Sequence, residues 1–188
     1  MSRPNNFSLR TYPKNSSPLI TVFSDASLKD DAVGFAYWMK GPSGTYDGSG
    51  AFRAEYIEGK SGWAESAGIT FAIFAAVKEF GGGADIVLQC DSLEALSFCR
   101  NFGKFAKTSK ITSPVKAIPP ELAHFAHGVT SMHKGKLWLK HVKGHSGGCN
   151  RTGVNNFTDR KAKEAREELE SRGEMKTYHS KWEPKLNE

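Results

Sequence analysis

The sequence predicts an α/β fold in which a mixed β-sheet is flanked by helices. Short apolar segments rich in β-branched residues alternate with segments that have helical periodicity. Their order is three strands, a helix, a strand, a helix, a basic link, a helix, a strand and a final helix, which is typical of a sheet covered by helices. With 188 residues, the chain is long enough for one domain with a single sizeable core.

The first half of the chain contains three predicted strands and a long helix. Leu19–Ser24 is an apolar, β-branched strand, and the acid Asp25 follows it directly. A second strand covers Ala32–Met39 and a third covers about Gly50–Ile57, so we expect an antiparallel meander. Apolar residues at helical spacing then predict a helix over Gly62–Phe80.

The second half repeats the pattern of a buried strand followed by an acid. Ile86–Cys90 is the strand and Asp91 is the acid. A helix is predicted over Leu93–Phe102, and Asp91 or Ser92 can cap its first turn. The remaining predicted elements are a helix over Pro120–His133, a strand over Leu137–Val142 and a charged helix from Asn155 onward.

Composition and charge limit the expected partners and location. The net charge of +6 favours a polyanionic partner. The three cysteines are odd in number and lack zinc-knuckle spacing, so neither a disulfide nor a structural metal is predicted. Since no apolar segment has signal or membrane length, we expect a cytoplasmic protein with no membrane partner. We also expect a monomer, although the residues leave the oligomeric state open. Residues 1–17 are predicted to be a flexible extension, 18–172 one folded domain and 173–188 a tail.

Four carboxylates in four different predicted elements form a candidate site. Asp25 and Asp91 end two buried strands, Glu65 lies early in the long helix and Asp159 lies in the final helix. Because the carboxyl ends of neighbouring parallel strands lie side by side, we expect these acids to cluster. Clustered carboxylates repel one another unless a cation neutralises them, and Mg²⁺ prefers such oxygen ligands. Two such ions would support an in-line displacement at a phosphodiester.

Each acid also has an ordinary structural interpretation. Asp25 could open a turn with Ser27. Glu65 could lie on a helix surface, and Asp159 could pair with Lys163 one turn further along its helix. These interpretations remain open for each acid taken singly, whereas their common order and strand context favour a shared site.

Several short motifs occur in a fixed order along the chain. They are Asp25-Ala26-Ser27 after a strand, Ala64-Glu65 in a small-residue helix, Asp91-Ser92 after a second strand, and Val142-Lys143-Gly144-His145-Ser146-Gly147 leading to Asn155 and Asp159. Together these motifs resemble type 1 ribonuclease H. The likeness covers roughly Leu19–Leu169, and its most specific piece is the Lys-Gly-His-Ser-Gly segment with the downstream Asn and Asp.

The resemblance implies a fold, an activity and a set of active-site residues. The implied fold is RNase H-like, a five-stranded mixed sheet with three antiparallel strands followed by two parallel ones, within a catalytic domain of residues 18–172. The implied activity is hydrolysis of the RNA strand of RNA–DNA hybrids at a centre of two Mg²⁺ ions, for which Mn²⁺ is a possible substitute. The implied metal ligands and catalytic acids are Asp25, Glu65, Asp91 and Asp159. His145 matches the family's loop histidine, which is thought to assist proton transfer or product release.

The expected substrate contacts lie beside these acids and in the basic link. The residues are Ser27, Ser61, Gly62, Ser92, Lys104, Lys107, Lys110, Lys143 and Asn155. The lysines of the link alternate with phenylalanines and could hold phosphates of the DNA strand. The link could equally be a plain solvated loop.

Two other functions stay open on the sequence alone. The family usually carries an Asn shortly before its helix Glu that contacts ribose 2′-hydroxyls, and this chain has Ser61, Gly62 and Trp63 there. A nuclease of the same fold could therefore act on duplex RNA, single strands or branched DNA. A non-catalytic nucleic-acid-binding module is the other alternative, although such a surface has no need of clustered acids.

Overall fold

Five strands form one mixed sheet in the computed structural model, which describes residues 19–57, 60–100, 119–142 and 150–172. The strands are β1 (Leu19–Lys29), β2 (Ala32–Gly41), β3 (Gly44–Arg53), β4 (Asp85–Cys90) and β5 (Leu137–His141). Their order across the sheet is β3-β2-β1-β4-β5. β1 pairs with β2, and β2 with β3, in antiparallel fashion, whereas β1–β4 and β4–β5 are parallel pairs. The predicted fold class is confirmed.

Four helices flank this sheet in the described part of the chain. They are α1 (Ser61–Phe80), α2 (Leu93–Arg100), α3 (Pro120–Met132) and α4 (Asn150–Ser171), and a single 3₁₀ turn covers Glu55–Ile57. α1 packs on β1 and β2 and contacts α2 and α3, while α4 packs on β1, β2 and β3. None of these described helices combines the length and the apolar composition that crossing a membrane requires.

The two helices that cover β1 lie on opposite faces of the sheet. A Cβ atom at Gly68 of α1 would contact the Cβ of Ala26, whereas Ser27, the next residue of β1, hydrogen-bonds to Arg166 of α4. Since successive strand residues point to opposite faces, α1 and α4 enclose β1 from both sides. The larger core lies on the α1 face, where the fully buried Phe35 ring stacks on Phe71 at a centroid separation of 4.3 Å.

The first strand is longer than predicted. β1 does not end at Ser24 but continues to Lys29, so Asp25 lies inside a strand. The reason is that β1 has two neighbours of different extent. Its pairing with β4 ends at Phe23, whereas its pairing with β2 continues to a two-residue turn at Asp30 and Asp31. The polar residues after Asp25 are therefore held extended by β2 alone.

Two further boundaries differ from the predictions. β3 begins at Gly44 rather than about Gly50 and ends at Arg53, because the turn after β2 needs only Pro42 and Ser43 before pairing resumes. α4 begins at Asn150, five residues before the predicted start at Asn155. The other predicted strands and helices are confirmed to within two residues over their described parts. The predicted extension at 1–17 and tail at 173–188 lie outside the described residues.

Candidate active site

The register of β1 against β4 brings two of the predicted acids to the same end of the sheet. The last paired residues of these parallel strands are Phe23 and Gln89, and Asp25 and Asp91 each follow two residues later. Asp91 comes directly after β4, where the His141 Nε2 lies 3.0 Å from its carbonyl oxygen. The negative charge of Asp91 raises the pKa of Asp25, as expected for two neighbouring carboxylates.

Glu65 enters the same site from α1. Its side-chain interaction with Asp25 raises the pKa of Glu65 and lowers that of Asp25, so this contact favours the proton on Glu65. Burial, followed by the charges of Asp25 and Asp91, raises the pKa of Glu65 to about 9. The α1 helix can bring this carboxyl group close because it faces the sheet with small side chains, such as Ala64 and Ala67, both nearly fully buried.

Asp25 is the most enclosed of the four predicted acids, with 6% of its surface exposed. Burial and, after it, the charge of Asp91 raise its pKa to about 7, and the charge of Asp159 adds to the rise. The backbone N–H of Ala26 donates to Asp25 Oδ1 at 2.8 Å and opposes this shift. Burial therefore favours the neutral form of Asp25, and the charges of Asp91 and Asp159 favour it further.

Asp159 stands at the outer side of this group. It is an exposed residue of α4, and its charge reaches Asp25 across the α4–β1 contact. The structure thus brings all four predicted acids into electrostatic contact around Asp25, from four different elements. Their role as ligands or catalysts stays a prediction.

Cys90 is a member of this group that the sequence analysis missed. Its buried Sγ lies 3.9 Å from Glu65 Oε2, and it accepts the backbone N–H of Ser92 at 3.3 Å. Donor atoms of Glu65, Cys90 and Asp91 all lie within 4.8 Å of one another. Burial, followed by the charge of Glu65, raises the pKa of the Cys90 thiol. The thiol stays protonated there, so Cys90 contributes a neutral neighbour to the acids.

The chemistry of this donor set fits a divalent cation. Asp25 and Glu65 are harder to ionise than ordinary carboxyl groups because they are buried next to one another and to Asp91. A bound cation would reverse this preference, since its charge favours the ionised form of every carboxylate around it. Carboxylate oxygens suit hard ions such as Mg²⁺, and the carboxylates of Glu65 and Asp91, which have oxygens within 4.8 Å of one another, could hold such an ion.

The predicted substrate contacts that are described lie in different local environments. The Ser27 hydroxyl accepts a hydrogen bond from Arg166 Nε at 2.9 Å, and the Ser92 hydroxyl accepts the Ala95 N–H at the start of α2. Asn155 is buried in α4, whereas Ser61 is exposed at the first residue of α1. His145, Lys104, Lys107, Lys110 and Lys143 lie outside the described residues.

Gly62 is close to a carboxylate that the sequence analysis did not consider. A Cβ atom at this position would collide with the carboxylate of Glu94, which projects from the first turn of α2. A side chain at position 62 would displace this carboxylate, which can move readily because Glu94 is exposed. Gly62 lies about one helical turn before Glu65 in α1.

No family model and no curated protein matches this sequence. Solved structures do match the fold. It is similar to the N-terminal RNase H domain of a Mycobacterium tuberculosis protein, solved as a fusion with maltose-binding protein, at 15% identity over 84% of this chain and 100% of that chain, with a TM-score of 0.58. It is also similar to LC9-RNase H1, a type 1 RNase H with the type 2 active-site motif, at 17% identity over 83% and 75% of the two chains, with a TM-score of 0.56.

A third similar structure is that of LC11-RNase H1 in complex with an RNA/DNA hybrid. It has 14% identity over 80% of this chain and 98% of that chain, with a TM-score of 0.52. The fold and strand order therefore place this chain among the RNase H-like folds. The resemblance to type 1 RNase H that the motifs suggested is confirmed at the level of the fold.

Proposed function

We propose that this protein is a metal-dependent endoribonuclease that hydrolyses the RNA strand of RNA–DNA hybrids. The observation that carries the proposal is the convergence of Asp25, Glu65, Asp91 and Asp159, from four elements, on one end of the parallel strands. Such a group is unfavourable in a stable protein unless it has a task that requires clustered negative charge. The hybrid bound by LC11-RNase H1, a protein of similar fold, supports the choice of substrate.

The four acids are the proposed ligands of two Mg²⁺ ions, with Mn²⁺ as a possible substitute. When bound, such ions activate a water molecule and stabilise the leaving oxygen of an in-line phosphodiester displacement. Asp25 is the proposed central ligand because it is the acid whose pKa responds to all three of the others. The buried part of β1 on its N-terminal side keeps its backbone in place.

The remaining roles fall to residues outside the described part of the chain. His145 is the proposed proton carrier or product-release residue, since an imidazole titrates near neutral pH. Lys104, Lys107, Lys110 and Lys143 are proposed to contact phosphates, in keeping with the net charge of +6. We expect the active species to be a monomer, and a cytoplasmic location stays a prediction.

Substitution of a central acid tests the proposal. Asp25→Asn and Asp91→Asn keep the size of each side chain and remove its charge. Cleavage of an end-labelled hybrid in Mg²⁺ should fall by at least about 10³-fold in either variant, while hybrid binding in a gel-shift assay persists. Undiminished cleavage by both variants would refute the proposed centre.

A nuclease with another substrate is the second candidate. The observation that favours it is the start of α1, where Gly62 has no side chain and the neighbouring group is the carboxylate of Glu94. Hybrid, duplex RNA, duplex DNA and junction substrates of one sequence would separate the two candidates. Preferential cutting of any substrate other than the hybrid would favour the second. A module without activity is the weakest candidate, and calorimetry that shows no Mg²⁺ binding would favour it.

A further inference from the structure

A buried arginine joins α4 to β1 beside the candidate active site. The Arg166 side chain is 9% exposed and donates from Nε to the Ser27 hydroxyl at 2.9 Å. Its Nη1 donates to Glu170 Oε2, also at 2.9 Å, and this acid neutralises the guanidinium charge. The Ser27 contact joins residues 139 positions apart in the sequence, so it fixes tertiary structure rather than local helix structure.

The two ends of this contact have a fixed relation to two of the acids. Ser27 is two residues beyond Asp25 and projects from the same face of β1. Arg166 is seven residues beyond Asp159, which is close to two full turns, so both project from the same side of α4. The hydrogen bond therefore joins the face of β1 that carries Asp25 to the side of α4 that carries Asp159.

The α4 backbone is closest to the sheet between these two points. Gly34 of β2 is the partner of Ser27 in the sheet, and a Cβ atom there would collide with the carbonyl oxygen of Ala162. Ala162 is fully buried and lies between Asp159 and Arg166 in α4. Close backbone contact sets how near α4 lies to the sheet, but it does not by itself prevent rotation or sliding of the helix. A shift of one residue along α4 would move Asp159 by about 1.5 Å.

We propose that Arg166 is a positioning residue whose hydrogen bond to Ser27 fixes the separation of Asp159 from Asp25. Asp159 is exposed, so the position of α4 on the sheet determines where its carboxylate lies. The inference rests on the proposed metal centre, and it gives Ser27 an internal role in place of the substrate contact predicted from the sequence. Metal sites depend strongly on residues that orient their ligands, and loss of such a partner commonly weakens binding about 10–100-fold.

Calorimetric titration of the full-length protein with MgCl₂ tests this inference without relying on activity. Ser27→Ala removes the acceptor, and Arg166→Lys keeps a charge for Glu170 but loses the Nε donor. Each variant should bind Mg²⁺ about tenfold more weakly than the wild type. Ser27→Thr keeps the hydroxyl and should restore binding to within about twofold of the wild type.

The matched control is Lys29→Ala. Lys29 also pairs with Glu170, at 3.3 Å, but its side chain is 61% exposed. This variant should bind Mg²⁺ like the wild type. Combining Ser27→Ala with Arg166→Lys should weaken binding no further than either change alone, because both remove the same hydrogen bond.

Wild-type Mg²⁺ affinity in both Ser27→Ala and Arg166→Lys would overturn the inference. Equal weakening of Mg²⁺ binding in Lys29→Ala would also overturn it, because the Ser27–Arg166 contact would then only contribute to the stability of the fold. Circular dichroism identifies a variant that fails to fold, in which case the other variant and Ser27→Thr decide. A wild-type protein that binds Mg²⁺ but cuts no hybrid would refute the proposed substrate and leave this inference standing. A wild-type protein that binds no Mg²⁺ would refute both.

Discussion

Removing the charge of Asp25 should stabilise the metal-free protein while abolishing its activity. Asn has the same shape as Asp, and its side-chain oxygen can still accept the Ala26 N–H. What disappears is a buried negative charge that repels Asp91 and Asp159. Residues that serve a metal site are expected to lower the stability of the empty fold, because their environment suits the bound state.

The expected gain follows from the pKa of Asp25. This pKa is 3.8 for an ordinary Asp and about 7 in the folded protein. A raised pKa means that the folded protein binds the proton more tightly than the unfolded chain. The stability that protonated Asp25 contributes is therefore fully present below about pH 4 and is lost as the pH rises through about 7. Compared with a side chain that does not titrate, Asp25 therefore lowers the free energy of unfolding by on the order of 2 kcal/mol at pH 5, where only the unfolded chain is ionised, and by on the order of 4 kcal/mol at pH 8; Asp25→Asn should remove most of this cost.

Urea unfolding in a metal chelator, followed by circular dichroism, measures this difference. The unfolding midpoint of Asp25→Asn should exceed that of the wild type at pH 8, and by less at pH 5. Asp47→Asn is the matched control, since Asp47 is an exposed acid on the edge strand β3 and should change stability by less than about 0.5 kcal/mol.

Added Mg²⁺ should reverse the order of stability at pH 8. The ion favours the ionised carboxylates of the wild type, so it should raise the unfolding midpoint of the wild type more than that of Asp25→Asn. An Asp25→Asn protein that is less stable than the wild type in chelator at pH 8 would contradict the reasoning. So would a gain that does not depend on pH.

Three further substitutions test other parts of the structure. Gly62→Ala should displace the Glu94 carboxylate from the start of α1, and it should change hybrid cleavage more than stability, as cleavage rates and thermal melts will show. Gly34→Ala should lower the free energy of unfolding by several kcal/mol, because the added Cβ collides with the α4 backbone; an unchanged urea midpoint would argue against that contact. Phe71→Ala removes the ring stacked on Phe35 and should cost about 3–5 kcal/mol in the same urea assay.

The positions of most strands and helices could be predicted because they depend on local patterns, whereas the arrangement of three antiparallel and two parallel strands was implied by the resemblance to type 1 ribonuclease H. The small-residue periodicity over Gly62–Phe80 identifies α1 without tertiary information, and Ser92 caps α2 as its residue type suggests. The end of β1 could not be predicted in this way. Its polar residues after Asp25 are extended only because β2 pairs with them, and that pairing is not visible in the β1 segment alone.

The candidate site was predictable in its acids but not in their neighbours. Asp25 and Asp91 follow buried apolar strands, which is a signal that one segment carries by itself. Cys90 joins the site because it is the last residue of β4 and its thiol lies beside Glu65 of α1. The sequence signal that could have identified it is its position directly before Asp91. Arg166 contacts Ser27 across 139 residues, and no local pattern in α4 separates it from the exposed charges around it.

Hybrid cleavage is the measurement that tests the central claim most directly. A labelled RNA–DNA hybrid and a DNA duplex that carries a short RNA stretch should be incubated with the wild type and Asp91→Asn, in Mg²⁺, in Mn²⁺ and in chelator. The proposed function predicts that the wild type cuts RNA within both substrates only when a divalent metal is present, and that Asp91→Asn cuts neither. Wild-type cleavage that persists in chelator, or that survives in Asp91→Asn, would contradict a catalytic centre built from these acids.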